Sequence, residues 1–315
     1  MTKHFRLALS TAALLLAAAP AMSASQTDAP YTVVETGHVY DRLQDAVDAI
    51  GNGSGTIRFG DYRFADCAVQ RGGEVTYTAA NPGQAVLDGV ACEGKAALVL
   101  GGRSARVEGL IFSNIRVPDK NGAGIRLEHG DLFVSQSWFR DSEQGILTVN
   151  GERGSIEVDK STFTRLGTCE GSGCAHSIYA GDYGSLKVTR SRFEAGRGGH
   201  YLKSRAAHIE VLDCSFDDSK GKATNYMIDL PAGATGRIAG NWFVQGKDKE
   251  NYSAFIAVSA EGREHSSTGL DIRDNNARLA TGVDRNTVFV ANWSGQQLAM
   301  GANAVGQGLK AYERR

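Results

Sequence analysis

The feature that most restricts the fold of this chain is a phrase ending in phenylalanine that recurs roughly every 25 residues. Its phenylalanines are separated by 27, 24, 30, 23 and 27 residues, at Phe112, Phe139, Phe163, Phe193, Phe216 and Phe243. Apolar strand starts precede the later ones, at Ile125, Ile146, Ile178, Leu202 and Ile228. The segments between them alternate apolar and polar residues, as strands with one buried face do. This period predicts an all-β parallel solenoid, in which each coil stacks on the one before it.

Two other repeat folds fit the pattern less well. Leucine-rich repeats have a similar period, but the Leu-x-x-Leu-x-Leu pattern is missing, and a propeller needs a longer repeat of four strands. Composition agrees with a solenoid, since 39 of the 315 residues are glycine and only 5 are proline. Abundant glycine without a collagen-like triplet favours many turns in a regular β architecture. Single β domains can reach this length, so one domain is expected.

A short helix is predicted ahead of the coils, at about residues 41–50. Its apolar side chains recur on one helical face, at Leu43, Ala46, Val47 and Ile50. Asp41 can cap its amino end, with Gln44 three residues on, and the glycines that follow can end it. Such a helix would cover the open end of a solenoid spanning residues 31–300. Residues 302–315 are predicted to form a polar C-terminal tail.

The order of these features resembles a known superfamily. An amphipathic helix, the segment GTIRFGDYRF and coils of about 25 residues resemble the right-handed parallel β-helix proteins of the pectin-lyase-like superfamily. The segments HSIYAGDYGSLKVTRSRFEAGRGGHYLKSRAAHIEV and NYMIDLPAG also resemble a group of exported bacterial β-helix proteins. The resemblance implies a right-handed coil, and the superfamily implies polysaccharide lyases, polysaccharide hydrolases and uronate epimerases. Fold alone does not choose among these activities.

The amino-terminal segment predicts export. Residues 1–24 combine a basic start, an apolar stretch and small residues at two possible cleavage points, which is the pattern of a secretory signal peptide. The apolar run is shorter than the roughly 20 residues that span a bilayer, and no later stretch is long and apolar enough. We therefore expect a periplasmic or secreted protein whose mature chain has no transmembrane segment.

Five cysteines follow the leader, and an exported protein can form disulfides. Cys169 and Cys174 flank a short loop, and Cys67 and Cys92 lie about one coil apart, so both pairs are predicted to be bridged. Cys214 is left over and is expected to be buried. These spacings do not match a zinc pattern, so no metal site is predicted. No nucleotide-binding motif is present either, and no cofactor is predicted.

Aligning the coils on their strand starts places polar residues in one outward column. Tyr179, Lys203 and Asp229 each follow an inward apolar residue, so they should stack on one face at the roughly 4.8 Å spacing of neighbouring strands. Arg205 lies two positions further on. Its counterparts in the adjacent coils, beginning with Gly181, have little side-chain bulk, which predicts open space around the guanidinium.

The same alignment brings further polar residues to this side of the coils. His176 and His200 fall together at one corner, and Asn225 and Tyr226 occupy the equivalent corner of the next coil. Arg126 extends the polar surface in the opposite direction. Corners interrupt strand alternation, so the orientation of the two imidazoles stays open. We expect these residues to contact substrate together with Asp229.

A cationic face on a nearly neutral protein suits an acidic polysaccharide. The chain has 34 Lys+Arg and 35 Asp+Glu, without the basic excess that nucleic-acid binding would require. β-Elimination at a uronate needs a cation for the carboxylate, a base for the neighbouring proton and an acid for the leaving oxygen. We assign Arg205 as the carboxylate clamp, Lys203 as the base, and Tyr179 or His200 as the proton donor. Asp229 would orient the lysine, although its charge also favours the protonated form.

Other functions stay open at this point. A glycoside hydrolase would need close carboxylates, and no column of paired acids is apparent. A uronate epimerase shares the first step of elimination. The lysine and Asp229 could instead form an ordinary surface ion pair on a non-catalytic carbohydrate-binding or cell-envelope solenoid. Exposed aromatic residues would then stack on sugar, with candidates at Tyr183, Tyr201, Tyr226 and Trp242. The oligomeric state is also left open.

Overall fold

The computed structural model describes residues 1–2, 29–151 and 153–315. The predicted signal peptide therefore lies outside the described residues, apart from its first two. The remaining chain coils into a stack in which almost every turn contributes three short strands. A single eight-residue helix precedes the coils.

In chain order, the first group of elements comprises β1 (Tyr31–Val33), β2 (His38–Tyr40), α1 (Leu43–Ile50), β3 (Ser54–Phe59), β4 (Arg63–Phe64), β5 (Ala68–Gln70), β6 (Glu74–Ala79), β7 (Val86–Asp88), β8 (Ala96–Leu100), β9 (Ser104–Glu108) and β10 (Ile111–Ser113). The second comprises β11 (Ala123–Leu127), β12 (Asp131–Ser135), β13 (Trp138–Arg140), β14 (Gln144–Thr148), β15 (Ser155–Asp159), β16 (Thr162–Thr164), β17 (Ile178–Ala180), β18 (Ser185–Thr189), β19 (Arg192–Glu194), β20 (Leu202–Ser204), β21 (His208–Leu212) and β22 (Ser215–Asp217). The third comprises β23 (Ile228–Leu230), β24 (Thr235–Ala239), β25 (Trp242–Gln245), β26 (Ala254–Val258), β27 (Asp271–Arg273), β28 (Asn276–Leu279), β29 (Thr287–Asn292), β30 (Ala299–Met300), β31 (Ala304–Val305) and β32 (Leu309–Arg314).

These strands form three long sheets that run the length of the stack. Sheet A has the order β2-β1-β3-β6-β9-β12-β15-β18-β21-β24-β27-β30. Sheet B has the order β4-β7-β10-β13-β16-β19-β22-β25-β28-β31, and sheet C the order β5-β8-β11-β14-β17-β20-β23-β26-β29-β32. Pairing is parallel except where β1 meets β2 and β3. The prediction of a single all-β, right-handed parallel β-helix is confirmed.

The repeated phenylalanines form the axis of the core. Successive rings from Phe112 to Phe243 stack with centroids 4.7–4.9 Å apart and interplanar angles of 10° or less. Each of these six side chains is fully buried. Strand separation in a parallel sheet imposes the ring separation, because equivalent residues in adjacent coils repeat at the same interval. The sequence repeat is therefore a direct consequence of the coil.

A polar ladder fixes the corner between sheets A and B. In each coil one backbone N–H donates to the side chain of the equivalent residue in the next coil, through Ser137, Ser161, Ser191, Cys214, Asn241, Asn275 and Asn303. Cys214, the unpaired cysteine, is one buried rung of this ladder. The ladder satisfies backbone donors that the turn removes from the sheets.

Residues 302–315 differ from the expected polar tail. They contain β31 and β32, which pair with β28 and β29 and extend sheets B and C by one coil. Leu309 and Tyr312 pack against the core from this last coil. The polar composition that suggested a tail belongs to the outward and end-facing side chains of a terminal strand, where solvent replaces the missing neighbour.

Helix α1 begins at Leu43, two residues later than expected, and Asp41 does not cap it. The backbone N–H of Leu43 instead donates to Asp66 Oδ2 at 2.8 Å, from a segment more than 20 residues downstream. The Gln44 amide bonds both backbone groups of Val69, with distances of 2.8 and 3.1 Å. The helix thus satisfies the exposed edge of the first sheet C strand, as a cap must.

Both predicted disulfides are present. Cys67 joins Cys92 and Cys169 joins Cys174, with Cα–Cα distances of 5.5 and 4.1 Å. The first bridge links successive coils, and the second closes a loop between β16 and β17. Within the described part of the chain, no helix is both long and apolar enough to cross a membrane.

Candidate functional site

The outward column predicted on sheet C occupies three successive strands, β17, β20 and β23. Tyr179 pairs in register with Lys203, and Lys203 pairs with Asp229. The residue before each of these is fully buried in the core, at Ile178, Leu202 and Ile228. Strand alternation therefore turns the phenol, the ammonium and the carboxylate to the outer face. Each coil supplies one functional side chain to the column.

Arg205 joins this column from the residue just after β20. Its Nε donates to the Tyr179 hydroxyl oxygen at 3.2 Å. The ammonium of Lys203 lies 5.7 Å from the centroid of the Tyr179 ring. Two cations therefore flank one phenol. A hydrogen bond received from the guanidinium leaves the phenol's own proton free for another acceptor.

A carboxylate that the sequence did not predict bridges the two cations. Glu261 Oε1 lies 2.7 Å from Lys203 Nζ, and its Oε2 accepts a hydrogen bond from the Arg205 guanidinium. Burial alone would raise the pKa of Glu261, but the hydrogen bonds and charges of the two cations outweigh burial and lower it. The space expected to be open around Arg205 is thus occupied by a carboxylate held by both cations. We call this arrangement the carboxylate site.

The loop that carries Glu261 is anchored beside the site. The backbone N–H groups of Glu261 and Gly262 donate to the Pro231 carbonyl at 3.1 and 2.8 Å. Further along the loop, His265 Nε2 lies 3.0 Å from the Arg205 carbonyl and 3.2 Å from Asp182 Oδ1. Side-chain exposure is 46% for Glu261 but 12% for Lys203. The carboxylate is therefore the outermost charged group of the three and partly covers the lysine.

Asp229 lies beneath the lysine and is almost fully buried. Its Oδ2 is 3.5 Å from Lys203 Nζ and 3.4 Å from His200 Nε2. Its Oδ1 has no hydrogen-bond partner among the described residues. Burial raises the pKa of this carboxyl to about 7, against the opposing charge of the lysine. A carboxyl that gains and loses a proton near neutral pH is suited to proton transfer.

The two predicted histidines stack inside the loop that leads into sheet C. Ring centroids are 5.0 Å apart between His176 and His200, and 5.5 Å apart between His200 and Tyr226. The backbone N–H of His200 donates to His176 Nδ1 at 2.9 Å. Burial lowers the pKa of His176 to about 3 and that of His200 well below its ordinary value. Both imidazoles are therefore neutral at pH 7, and Tyr179 is the stronger candidate for the proton donor.

The structure does not bring two other predicted residues into this cluster. Leu147 separates Arg126 from Tyr179 in the column, and the Arg126 guanidinium instead faces Glu128. The Asn225 amide donates to Glu250 and accepts from the backbone of Tyr226. Both belong to neighbouring polar networks on the coil surface.

Glu261 was missed because it lies outside the strand register. It comes from the segment between β26 and β27, whose length differs from the other turns of this side. Strand alternation predicts which side chains point outward only for residues within strands. It therefore places Lys203 on the outer face but gives no position for a loop residue such as Glu261. The single sequence signal was the unusual gap of twelve residues between these two strands.

Comparison with known proteins identifies the architecture. No family model matches the chain, and no curated protein matches it. Among solved structures it is similar to ORF18 of Geobacillus virus E2, with a TM-score of 0.57, 13% identity, and coverage of 86% of this chain and 56% of that one. Tailspike gp49 of Acinetobacter baumannii bacteriophage Fri1, a capsular polysaccharide depolymerase, gives a TM-score of 0.43, 12% identity, and coverage of 85% and 59%.

A third similar structure is PfbA, a surface protein and adhesin of Streptococcus pneumoniae. It gives a TM-score of 0.31 at 10% identity, with coverage of 86% of this chain and 94% of that one. This chain spans somewhat more than half the length of the two phage proteins. At 13% identity the likeness to the Geobacillus virus protein establishes a shared fold alone, and the chemistry must be argued from the residues.

Proposed function

We propose that this protein acts on an acidic polysaccharide and cleaves it beside a uronate by β-elimination. The observation that carries the proposal is the carboxylate site, where Lys203 and Arg205 hold the carboxylate of Glu261 on the outer face of sheet C. A uronate carries the same group and can take the same place. An open face along a rigid stack of coils suits an extended chain of sugars.

In this proposal the guanidinium of Arg205 neutralises the substrate carboxylate after it replaces Glu261. Removal of the adjacent proton spreads negative charge onto that carboxylate, so a cation already positioned there lowers the barrier. Both side chains keep their positions without Glu261, because Arg205 is hydrogen-bonded to Tyr179 and Lys203 lies beside Asp229 and the Tyr179 ring.

Lys203 acts as the base in this scheme, and Asp229 takes the proton that the ammonium must first give up. The pKa of Asp229, raised to about 7, suits it to that role, and the two groups lie 3.5 Å apart. A protonated Asp229 no longer opposes the free amine by charge, so its presence beside the lysine does not conflict with the role of base. The amine then takes the proton from the carbon next to the carboxylate.

Tyr179 completes the reaction as the acid. The electron pair of the broken C–H bond forms a carbon–carbon double bond, and the glycosidic oxygen leaves with the electrons of its bond to the ring. That oxygen takes the phenol proton of Tyr179, whose hydroxyl is held by Arg205. Lys203 is then an ammonium again, and exchange through solvent carries the proton gained by Asp229 to the phenolate of Tyr179, which restores all three groups. The products are an unsaturated uronate end and a new free hydroxyl.

A second candidate, glycoside hydrolysis, is favoured by a different observation. Asp229 and Glu261 both contact Lys203, and their environments raise the pKa of the first and lower that of the second. One protonated and one ionised carboxyl group form the pair that glycosidases use. The acids come from a strand and a loop, which is why no paired column appeared in the sequence.

One assay separates these functions. Purified protein is incubated with a panel of uronate-containing polysaccharides while ultraviolet absorbance and reducing ends are measured. β-Elimination gives both signals, hydrolysis gives reducing ends alone, and a non-catalytic carbohydrate-binding protein gives binding without either signal.

The two disulfides are in keeping with the proposed export, since such bridges persist in oxidising compartments.

Variants of the site make the test specific. Arg205→Ala should lower the elimination rate by roughly 10²–10³-fold, the usual effect of removing a charge-stabilising donor. Glu261→Gln should preserve elimination, because Glu261 only occupies the carboxylate site, whereas it should abolish hydrolysis. Arg237→Ala removes an exposed arginine on sheet A and should change nothing. Full elimination activity in Arg205→Ala would contradict the proposed role.

A further inference from the structure

A second cationic concavity lies on another side of the coils, at the ends of β16, β19 and β22 in sheet B. Its volume is about 380 Å³. Five cationic side chains line it, Arg165, Arg192, Arg197, Lys220 and Lys222. Two lining residues carry carboxylates, Glu194 and Asp217. A local excess of positive charge of this size is notable in a chain that is nearly neutral overall. We call this concavity the basic pocket.

The charges of the basic pocket are unequally neutralised. Arg165 and Arg197 share the carboxylate of Asp141, at 2.6 and 3.3 Å, and Arg192 pairs with Glu194 at 2.7 Å. Lys220 and Lys222 take part in no ion pair within the part of the chain that the structure describes. Three arginines are therefore held in place by carboxylates, and two ammonium groups are left to meet a ligand.

The backbone holds the two lysines at the pocket. The N–H of Lys222 donates to the Gly196 carbonyl at 2.9 Å, which ties this loop to the coil before it. Ser219 N–H donates to Asp217 Oδ1 at 3.0 Å, and Gly221 N–H donates to the Asp218 carbonyl at 2.8 Å. Asp218 itself is fully buried. A ligand arriving at this pocket meets a framework that is already folded, so the entropic cost of binding is confined to side chains.

We propose that the basic pocket binds an anionic sugar unit, as a site separate from the carboxylate site. Ammonium and guanidinium groups supply charge-assisted hydrogen bonds to an acidic substituent. The Ser219 hydroxyl and the Asp217 carboxylate are suitable partners for sugar hydroxyls. The volume lies in the range of small-molecule pockets and exceeds what a lone inorganic anion fills. The two sites share no residue, so either can exist without the other.

The test measures binding in protein whose carboxylate site is disabled. Calorimetric titration of the Arg205→Ala protein with a uronate trisaccharide is compared with the same protein carrying Lys220→Gln and Lys222→Gln. We expect the double substitution to weaken binding about tenfold or more. A matched control carries Lys187→Gln and Lys310→Gln, which remove the same charge from distant surfaces and should leave binding unchanged. All four lysines are solvent-accessible, so thermal unfolding should be the same in every variant.

Three outcomes would overturn the proposal. One is equal binding by the Lys220/Lys222 variant and the matched control. Another is that sodium sulfate competes for the pocket as strongly as the trisaccharide, which would make it a simple anion site. The third is equal binding of a neutral trisaccharide, which would remove the acidic group from the recognition. Loss of cleavage in Arg205→Ala tests the carboxylate site alone, so the two proposals fail independently.

Discussion

Two lysine–aspartate pairs lie in the same part of this β-helix and have opposite surroundings. Lys203 and Asp229, on the outer face of sheet C, approach to 3.5 Å. Lys249 and Asp218, in the loops between sheets B and C, approach to 3.3 Å, and both side chains are fully buried. The distances are nearly equal, so the pairs differ in what surrounds them.

Every side-chain polar atom of the buried pair has at least one partner. Asp218 Oδ1 accepts from the Tyr201 and Thr224 hydroxyls at 2.7 Å each, and Oδ2 accepts from Gly246 N–H at 3.0 Å. Lys249 also donates to the Asn225 carbonyl. Burial lowers the pKa of Lys249, and the carboxylate opposes that effect. Such a network stabilises one arrangement of the loops, because every polar atom depends on the others.

The sheet C pair is incomplete by comparison. One oxygen of Asp229 has no partner among the described residues, although the side chain is almost fully buried. Its lysine turns to a carboxylate on a half-exposed loop. Unsatisfied buried polar groups cost stability, so this unpartnered oxygen beside an open face supports the proposed role of the pair. The comparison therefore sets an ion pair that holds the loops in place against one that the proposed reaction uses.

The largest expected effect comes from breaking the buried pair. Lys249→Met should lower the free energy of unfolding by about 3–5 kcal/mol, because Asp218 would be left as an uncompensated buried charge. Lys203→Met should cost much less, since Asp229 can take up a proton near neutral pH. Urea unfolding of the two variants at pH 7 measures the difference. Equal decreases in the free energy of unfolding would show that the two pairs stabilise the fold to the same extent.

The second largest expected effect is a pH dependence of the free energy of unfolding, caused by the titration of Asp229. Its pKa is about 7 in the folded state and near 3.8 in an unfolded chain. Between these values the folded state keeps a proton that the unfolded state releases, so this group's contribution to stability falls as pH rises from about 4 to about 7. The total change is at most about 4 kcal/mol.

Asp229→Asn should abolish the loss of stability that Asp229 causes as pH rises from about 4 to about 7. Free energies of unfolding of wild type and variant, measured at pH 4.5 and pH 8, should converge at the lower pH and favour the variant at the higher one. The buried histidines act in the opposite direction below pH 6.5, because their folded pKa values are lowered, but they do so in both proteins. A difference between the two proteins that does not change with pH would contradict the assigned pKa.

Two tyrosines offer the same chemical deletion in the two regions. Tyr201→Phe removes a buried hydroxyl that donates to Asp218 and accepts from Gly196 N–H, and should cost about 1.5–3 kcal/mol. Tyr179→Phe removes a partly exposed hydroxyl and should change stability by less than about 0.5 kcal/mol. In the proposed reaction Tyr179→Phe instead loses most of its activity. Thermal unfolding and the absorbance assay on both variants provide the measurement.

The sequence predicted the positions of strand residues and did not predict the contacts made by loop residues. The phenylalanine repeat determined the coil, and the coil determined the register, so Tyr179, Lys203 and Asp229 could be aligned without a structure. In a parallel β-helix the position of a strand residue is determined by counting along the repeat. The export signal, by contrast, lies outside the described residues and stays a prediction.

The positions of loop residues cannot be determined by counting along the repeat. Glu261 comes from a segment of irregular length, and Lys249 and Asp218 meet because two loops stack beside each other, as the isolated bridges of Thr224 to Gly199 and Lys249 indicate. The cap of α1 also came from a distant residue, Asp66, in place of Asp41. Each of these depends on a contact between segments far apart in the sequence, which single-sequence patterns do not record.

The last variant, Glu261→Ala, is also expected to change stability little, and it tests the comparison through ligand binding. Glu261 is half exposed, and exposed ion pairs contribute about 0–1 kcal/mol, so unfolding should hardly change. Removal of its carboxylate frees Lys203 and Arg205 for a ligand, and binding of a uronate trisaccharide should tighten about tenfold, because the ligand no longer competes with a tethered group. The paired measurement is calorimetric titration beside thermal unfolding, with Glu264→Ala from the same loop as control. Weaker binding in Glu261→Ala would mean that this carboxylate belongs to the ligand-binding surface, which is what a hydrolase would require.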